Sequence, residues 1–209
     1  MEHREGMAEI TTGDEFGRAI MQTIEALRVQ SVIEVGSWDG TGSTTVIMQA
    51  LANVPGRRLA CIEANPNRHA ALARLTASRE WVTTVCSRSV SREAMTPQSF
   101  DDVWRSPYNR LRYPREDVER WWNEQPAGPG YLDTLTTETW DAALIDGCEF
   151  CGWDDYRLLS SRVRVLMLDD VFSAYKCAAA DEDLRRRDEW SCIWRSAFVR
   201  NGASIWVRA

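Results

Sequence analysis

Short apolar runs alternate with amphipathic stretches along most of the chain, a pattern typical of a domain built from alternating strands and helices. The predicted strands are 31–35, 59–62, 81–86, 140–145 and 163–168, and the predicted helices are 14–30, 43–52, 66–77, 153–160 and 171–187. Segments 191–199 and 203–208 flank Asn201-Gly202 and predict a closing antiparallel hairpin. The pattern predicts an α/β fold with a doubly wound, Rossmann-like sheet, mostly parallel with a C-terminal antiparallel hairpin.

The alternation stops between residues 99 and 137. This insertion is rich in tryptophan, tyrosine and arginine, is interrupted by four prolines, and predicts only one short helix, at 116–123. Long ordered segments within compact domains are usually functional, which favours a lid or specificity segment. A surface excursion without such a role stays open, and the chain 1–209 is otherwise expected to form one domain.

Composition narrows the class of protein. The chain of 209 residues has 25 basic and 31 acidic residues, a net charge of −6, which disfavours nucleic-acid binding because phosphate contacts need a cationic surplus. No uncharged apolar run reaches the roughly 18 residues of a membrane helix. The first residues lack the apolar segment of a signal peptide. We therefore expect a cytoplasmic protein with no membrane or nucleic-acid partner.

Few side chains are available for some common catalytic chemistries. Only two histidines occur, His3 and His69, which leaves little room for a histidine-based triad or zinc site. The six cysteines are expected to be reduced thiols, and the lone CxxC pair, Cys148 and Cys151, is weak evidence for zinc or redox work. Lysine occurs only once, as Lys176, and we attribute this scarcity to the composition of the genome. Catalysis is expected to depend on carboxylates, a metal, a cofactor or a perturbed thiol.

A glycine-rich turn follows the first predicted strand. Gly36 and Gly40 let the backbone approach a ligand, just after Glu34 at the end of the strand. Glu63 ends the second strand, where a carboxylate can accept ribose hydroxyls, although a merely solvated acid is the alternative. Trp38 stands where the second glycine of a GxGxxG motif would be, which disfavours a dinucleotide. A nucleoside cofactor is predicted, with NAD and S-adenosylmethionine both open at this point.

A second group of acids follows two later strands. Asp146 ends strand 140–145, and Asp169-Asp170 ends the next strand along the chain. Adjacent parallel strands would bring these three carboxylates together, where they would repel unless a hard cation neutralised them. An oxygen-only ligand set favours Mg²⁺, Mn²⁺ or Ca²⁺ over zinc. Capping of the following helices is the alternative explanation.

The glycine turn and Glu63 resemble motifs of the class I S-adenosylmethionine-dependent methyltransferases. Glu34-x-Gly36-x-x-x-Gly40 is similar to the family's first motif and Glu63 to its ribose-binding acid, and the resemblance runs from about residue 30 to the end outside the insertion. It implies a cofactor, S-adenosylmethionine, with adenine contacts near 87–91. The cofactor-binding residues that it implies are Glu34, Gly36, Trp38, Gly40, Glu63 and Asp146.

Asp146-Gly147 with Asp169-Asp170 is similar to the metal-dependent O-methyltransferase branch, of both catechol and macrocin type. The resemblance implies that Asp146, Asp169 and Asp170 hold Mg²⁺, which binds the substrate oxygen. The chain departs from that branch at Glu149, where catechol-type enzymes have a lysine and macrocin-type enzymes a histidine as base. Glu149 is the predicted base, with Asp146 as its catalytic neighbour.

Three hypotheses follow. The leading one is Mg²⁺-assisted O-methylation of a small hydroxylated metabolite of the natural-product type, by a monomer or a homodimer. Glu149 motivates the second, a cofactor-binding domain with a non-methylating or partner role. The third treats Leu168-Asp169-Asp170 as the metal motif of a nucleotide-sugar glycosyltransferase, and it leaves Gly36 and Glu63 without a role.

Overall fold

The computed structural model describes residues 10–111 and 113–209, so His3 lies outside the described residues. The strands are β1 (Ser31–Val35), β2 (Arg58–Glu63), β3 (Val82–Cys86), β4 (Ala142–Ile145), β5 (Val165–Asp169), β6 (Trp190–Ser196) and β7 (Ala203–Arg208). The α-helices are α1 (Glu15–Ala26), α2 (Ser43–Leu51), α3 (Pro66–Thr76), α4 (Phe100–Trp104), α5 (Arg115–Asn123), α6 (Tyr131–Thr134), α7 (Gly152–Leu159) and α8 (Ala179–Leu184). Over the described residues, none of these helices has the length and apolarity needed to cross a membrane.

The seven strands form one sheet in the order β3-β2-β1-β4-β5-β7-β6. Strands β1 to β5 are parallel, and β7 runs antiparallel to both β5 and β6. This arrangement confirms the predicted fold class. The strand order reverses between β1 and β4, and a reversal of this kind opens a ligand-binding crevice at the carboxyl ends of the strands.

Each face of the sheet is covered by an apolar core. Val32 points to the face covered by α1 and α2, and its neighbour Ile33 points to the face covered by α7 and α8. Both side chains are fully buried, as are the residues of β4. The continuous apolar runs of these strands follow from burial on both faces.

The predicted helix 171–187 is wrong as a continuous helix. The amides of Val171 and Phe172 donate to the carbonyls of Gly202 and Asn201 in the β6–β7 hairpin, 3.0 Å each, so the chain after β5 first follows the hairpin. Residues 174–178 then form a π-helical segment, and α8 begins only at Ala179. Periodicity could not show this because the competing hydrogen bonds come from the far end of the chain.

The insertion folds into three short helices, α4, α5 and α6, of which only α5 had a sequence signal. The apolar side chains of α4 and α5 form a separate cluster that includes Trp122 and reaches Phe150, whose ring lies edge-on to Trp122 with 5.2 Å between centroids, whereas Leu132 of α6 packs into the core of the sheet. The amides of Tyr131 and Leu132 donate to the carbonyls of Arg88 and Ser89, at 2.9 and 2.8 Å. The insertion is therefore fastened beside the carboxyl edge of the sheet.

Candidate active site

The turn after β1 and the turn after β4 meet at the point where the strand order reverses. The amide of Asp146 donates to the carbonyl of Val35 at 2.9 Å. Gly36 has φ +87°, and a Cβ at this position would lie 2.1 Å from the carbonyl oxygen of Asp146. Only glycine permits this contact, which joins the two halves of the crevice.

Glu34 lies under the glycine turn and is fully buried. Its carboxylate accepts hydrogen bonds from the hydroxyls of Ser37, Ser43 and Thr44, at 2.7, 2.6 and 2.6 Å. Burial raises the pKa of Glu34, although the three hydroxyls act in the opposite direction. With no exposed surface, this carboxylate holds the turn against α2 and offers no oxygen to a ligand above the turn.

Glu63 ends β2 beside the glycine turn and is 7% exposed. Its two oxygens accept from the amides of Trp38 and Asn65, at 2.9 and 2.7 Å. One amide on each oxygen leaves further lone pairs, because a carboxylate has about four acceptor positions. Burial raises the pKa of Glu63, and the nearby guanidinium of Arg68 partly opposes that shift.

Trp38 and Gly40 shape the outer part of the turn. Trp38 has φ +51°, is 47% exposed, and lies under the guanidinium of Arg68, whose central carbon is 3.1 Å from the ring centroid. Gly40 has φ +85°, and a Cβ there would meet the side chains of Leu72 and Leu75 at 2.8 and 2.7 Å. The turn is therefore packed directly on α3.

Segment 87–91, expected near the adenine, is also the anchor of the insertion. Arg88 is buried, and its guanidinium donates to the carbonyls of Val90 and Pro126 at 2.6 and 2.8 Å. Ser89 is buried as well, with its hydroxyl 3.5 Å from the thiol of Cys151. Any ligand bound by this segment would be close to the base of the insertion.

Asp146, Asp169 and Asp170, here called the carboxylate cluster, converge as predicted, with one oxygen of each within 4.8 Å of the others. Two cations of the chain already lie on them. The Nζ atom of Lys176 is 2.9 Å from Asp146 Oδ1 and 2.7 Å from Asp170 Oδ2. Arg200 places Nη2 2.7 Å from Asp169 Oδ1.

The charges of this cluster are set by competition between burial and ion pairing. Burial disfavours ionised Asp170, but Lys176 outweighs it and lowers the pKa of that carboxyl. Burial and the neighbouring aspartates raise the pKa of Asp146 and of Asp169. Burial alone would lower the pKa of Lys176, yet the surrounding carboxylates raise it well above its ordinary value. The two ion pairs of Lys176 therefore favour its ammonium form.

A divalent cation does not fit the carboxylate cluster in this arrangement. Mg²⁺ would have to bind Asp146 and Asp170 at the position of the Lys176 ammonium, and the two cations would repel each other at that separation. The oxygen donors are of the predicted kind and converge as predicted, but two cations of the chain, Lys176 and Arg200, already pair with them.

Glu149 lies half-buried between the carboxylate cluster and the insertion. Its Oε2 atom accepts from the hydroxyl of Ser173 at 2.8 Å. Burial raises the pKa of Glu149, and Lys176 partly opposes that shift. The neighbouring Cys148 and Cys151 are free thiols 3.2 Å apart at the start of α7. All six cysteines are free, in agreement with the expected reduced state.

Sequence reasoning missed the two cations, Lys176 and Arg200, and the hydroxyl of Ser173. The only signal for Lys176 in the sequence is that it is the single lysine of the chain. Arg200 had no signal, because its position beside Asp169 depends on the pairing of β5 with β7. Asp170 and Arg200 also have positive φ, +53° and +46°, a strain that tends to concentrate at functional sites.

The fold is shared with solved O-methyltransferases. The structure of TomG from Streptomyces achromogenes, an O-methyltransferase involved in tomaymycin synthesis and solved with S-adenosylmethionine, has a TM-score of 0.61 at 14% identity over 92% of this chain and 79% of that one. The Bacillus cereus O-methyltransferase with S-adenosylhomocysteine has a TM-score of 0.58 at 12% identity, over 92% of this chain and 80% of that one. The Podospora anserina methyltransferase PaMTH1, also bound to S-adenosylhomocysteine, has a TM-score of 0.55 at 14% identity, over 92% of this chain and 77% of that one.

No protein-family model and no curated protein matches the chain. At identities of 12 to 14%, the likeness to these structures establishes the fold alone. The fold expected from the resemblance of the motifs is thereby confirmed.

Proposed function

We propose that the chain is an S-adenosylmethionine-dependent O-methyltransferase acting on a small hydroxylated molecule. The observation that carries this proposal is the meeting of the glycine turn, Glu63 and the carboxylate cluster around one crevice at the carboxyl edge of the sheet. The fold shared with O-methyltransferases solved with this cofactor supports it. A fold of this kind is compatible with several activities, so the proposed activity depends on the residues of the crevice.

The glycine-turn side of the crevice suits the cofactor. Bound S-adenosylmethionine would supply a methyl group on a positively charged sulfur. Glu63 would accept the ribose hydroxyls with the lone pairs that Trp38 and Asn65 leave unused. Because Gly36 and Gly40 lack side chains, the backbone of the turn could come close to the methionine part of the cofactor, with Trp38 beside it. Glu34 would keep the turn in place from below.

The acceptor would bind on the other side, beside Glu149. As general base, Glu149 would take the proton of the acceptor hydroxyl, and Ser173 would hold the carboxylate in position. The deprotonated acceptor oxygen would then be the nucleophile for the methyl group that the cofactor would supply, with S-adenosylhomocysteine as the leaving group. The raised pKa of Glu149 brings it closer to that of a useful base at neutral pH.

The insertion would close the acceptor side and select the substrate. Its aromatic cluster contacts Phe150 and Tyr175, which flank Glu149 and Lys176 in sequence. A homodimer and a cytoplasmic location remain predictions from the sequence. The Mg²⁺ of the sequence prediction is given no step here, because Lys176 lies where it would bind.

Transfer of a labelled methyl group from S-adenosylmethionine to a panel of catechols and other small hydroxylated acceptors tests this proposal. We expect transfer by the wild type, a loss of about 100-fold or more in Glu149→Gln, and no change in Glu80→Gln, an exposed acid at the opposite edge of the sheet. Binding of S-adenosylhomocysteine without transfer to any acceptor would contradict it and favour the non-methylating alternative.

A further inference from the structure

We infer that the ammonium group of Lys176 takes the place of the divalent cation in the carboxylate cluster, so that this chain neutralises and binds its acceptor oxygen without a metal. The first part, an occupied cation position, stands on the structure by itself. The second part, contact with an acceptor oxygen, rests on the proposed function.

The position of Lys176 is that of a bridging cation. Its Nζ atom lies within 3 Å of one oxygen of Asp146 and one of Asp170, the two acids that come from neighbouring strands β4 and β5. Lys176 is 7% exposed, so the pair is shielded from solvent. An ammonium has three donors, and these two contacts leave one for an acceptor oxygen.

The backbone around Lys176 is fixed by close packing. A Cβ at Gly152, the first residue of α7, would lie 1.9 Å from the carbonyl oxygen of Lys176. The thiol of the adjacent Cys177 lies 3.4 Å from the carbonyl of Ile145, the last residue of β4. Lys176 also sits in a π-helical segment, a geometry that occurs frequently at functional sites. A side chain held in this way is not a mobile surface lysine.

The third carboxylate is neutralised separately. Arg200 pairs with Asp169 at 2.7 Å and with Asp14 at 3.2 Å. A metal at this point would have to compete with both Lys176 and Arg200.

Binding of Mn²⁺, followed by electron paramagnetic resonance, tests the occupied position without using activity. We expect the wild type to have no Mn²⁺ site at Asp146, so that Asp146→Asn should leave Mn²⁺ binding unchanged. Lys176→Ala leaves the carboxylates of Asp146 and Asp170 without their cation, so it should bind Mn²⁺ at least about tenfold more tightly than the wild type. Lys176→Arg keeps the charge and should resemble the wild type. The double variant Lys176→Ala/Asp146→Asn should lose the gained site.

Tight Mn²⁺ binding by the wild type that disappears in Asp146→Asn would overturn the inference, and this result needs no lysine variant to fold. Calorimetry with S-adenosylhomocysteine on the same samples separates the two proposals. Absence of that binding would defeat the proposed function while leaving the Mn²⁺ result valid. For the second part, methyl transfer by the wild type should be unchanged by a chelator. A loss of transfer that Mg²⁺ restores would contradict it.

Discussion

Glu63 and Asp170 lie at corresponding places, each at the carboxyl end of a buried parallel strand, yet their partners differ in charge. The two oxygens of Glu63 accept hydrogen bonds from backbone amides, which are neutral, and the guanidinium of Arg68 is a nearby charge. Asp170 is held by the ammonium of Lys176. Under the proposed function, the carboxylate of Glu63 therefore keeps its charge for a ligand, whereas the charge of Asp170 is neutralised by Lys176.

The charge of the hydrogen-bond partner, and not the position at the end of a strand, is what we expect to distinguish an acid that binds a ligand from an acid that stabilises the fold. Neutral donors stabilise a carboxylate and leave its charge uncompensated, so a hydroxyl-rich ligand can still gain from it. A cation at hydrogen-bond distance removes that gain. Strand-end position, the criterion available from sequence, treats both acids alike.

We expect the largest effect when the ion pairs of Lys176 with the carboxylate cluster are removed. Lys176→Met leaves half-buried Asp146 and buried Asp170 without their cation, and the free energy of unfolding should fall by about 3–5 kcal/mol. Arg186→Met is the matched control, since it breaks an exposed ion pair with Glu182 and should change stability by less than about 1 kcal/mol. Urea unfolding of both variants measures the contrast, and equal small losses would count against a buried structural cation.

The second largest effect is expected at the contact between Gly36 and the carbonyl of Asp146, which joins the glycine turn to the carboxylate cluster. Gly36→Ala places a Cβ against the carbonyl of Asp146 at a positive φ, and the loss in stability should be about 3 kcal/mol or more. Gly56→Ala shares the positive φ but has no atom within 4 Å of the new Cβ, so only about 1–2 kcal/mol is expected. Thermal unfolding of the pair isolates the contact, which would be unimportant if the two variants lost the same amount.

The neutral side is tested by ligand affinity. Glu63→Gln removes the charge that should accept the ribose hydroxyls, and the affinity for S-adenosylhomocysteine should fall by about tenfold to a hundredfold. Glu80→Gln changes an exposed acid far from the crevice and should leave the affinity as it is. Calorimetry measures both, and an unchanged Kd in Glu63→Gln would remove Glu63 from the ribose site.

The smallest effect concerns the buried acid under the glycine turn. Burial raises the pKa of Glu34 above its ordinary 4.5, so the folded chain holds this proton more tightly than the unfolded chain. The wild type should lose stability as pH rises from the unfolded value through the raised folded value, a loss that Glu34→Gln does not share. The Tm difference between them should therefore move in the variant's favour over that interval and then level off. A difference independent of pH would contradict the shift.

The sheet and the convergence of its strand-end acids were predictable because both depend on local patterns. Apolar runs locate the strands, and parallel neighbours bring Glu63, Asp146 and Asp169 to the same edge. The glycine turn was predictable for the same reason, since Gly36 and Gly40 directly follow a strand.

The partners of those acids were not predictable, because they arrive from distant or irregular parts of the chain. Arg200 reaches Asp169 through the β5–β7 pairing, and Lys176 reaches Asp146 only because a turn and a π-helical segment replace the helix that periodicity predicts. Glu34 shows the same limit, since its three hydroxyl partners give it a role in holding the turn that its place in the motif did not reveal.

Calorimetric titration of the wild type with S-adenosylhomocysteine, and separately with uridine diphosphate, tests the central claim most directly. We expect micromolar binding of S-adenosylhomocysteine, with the same affinity in chelator and in Mg²⁺, and no binding of uridine diphosphate. Binding of uridine diphosphate that requires a divalent cation, together with no response to S-adenosylhomocysteine, would contradict it and support a glycosyltransferase.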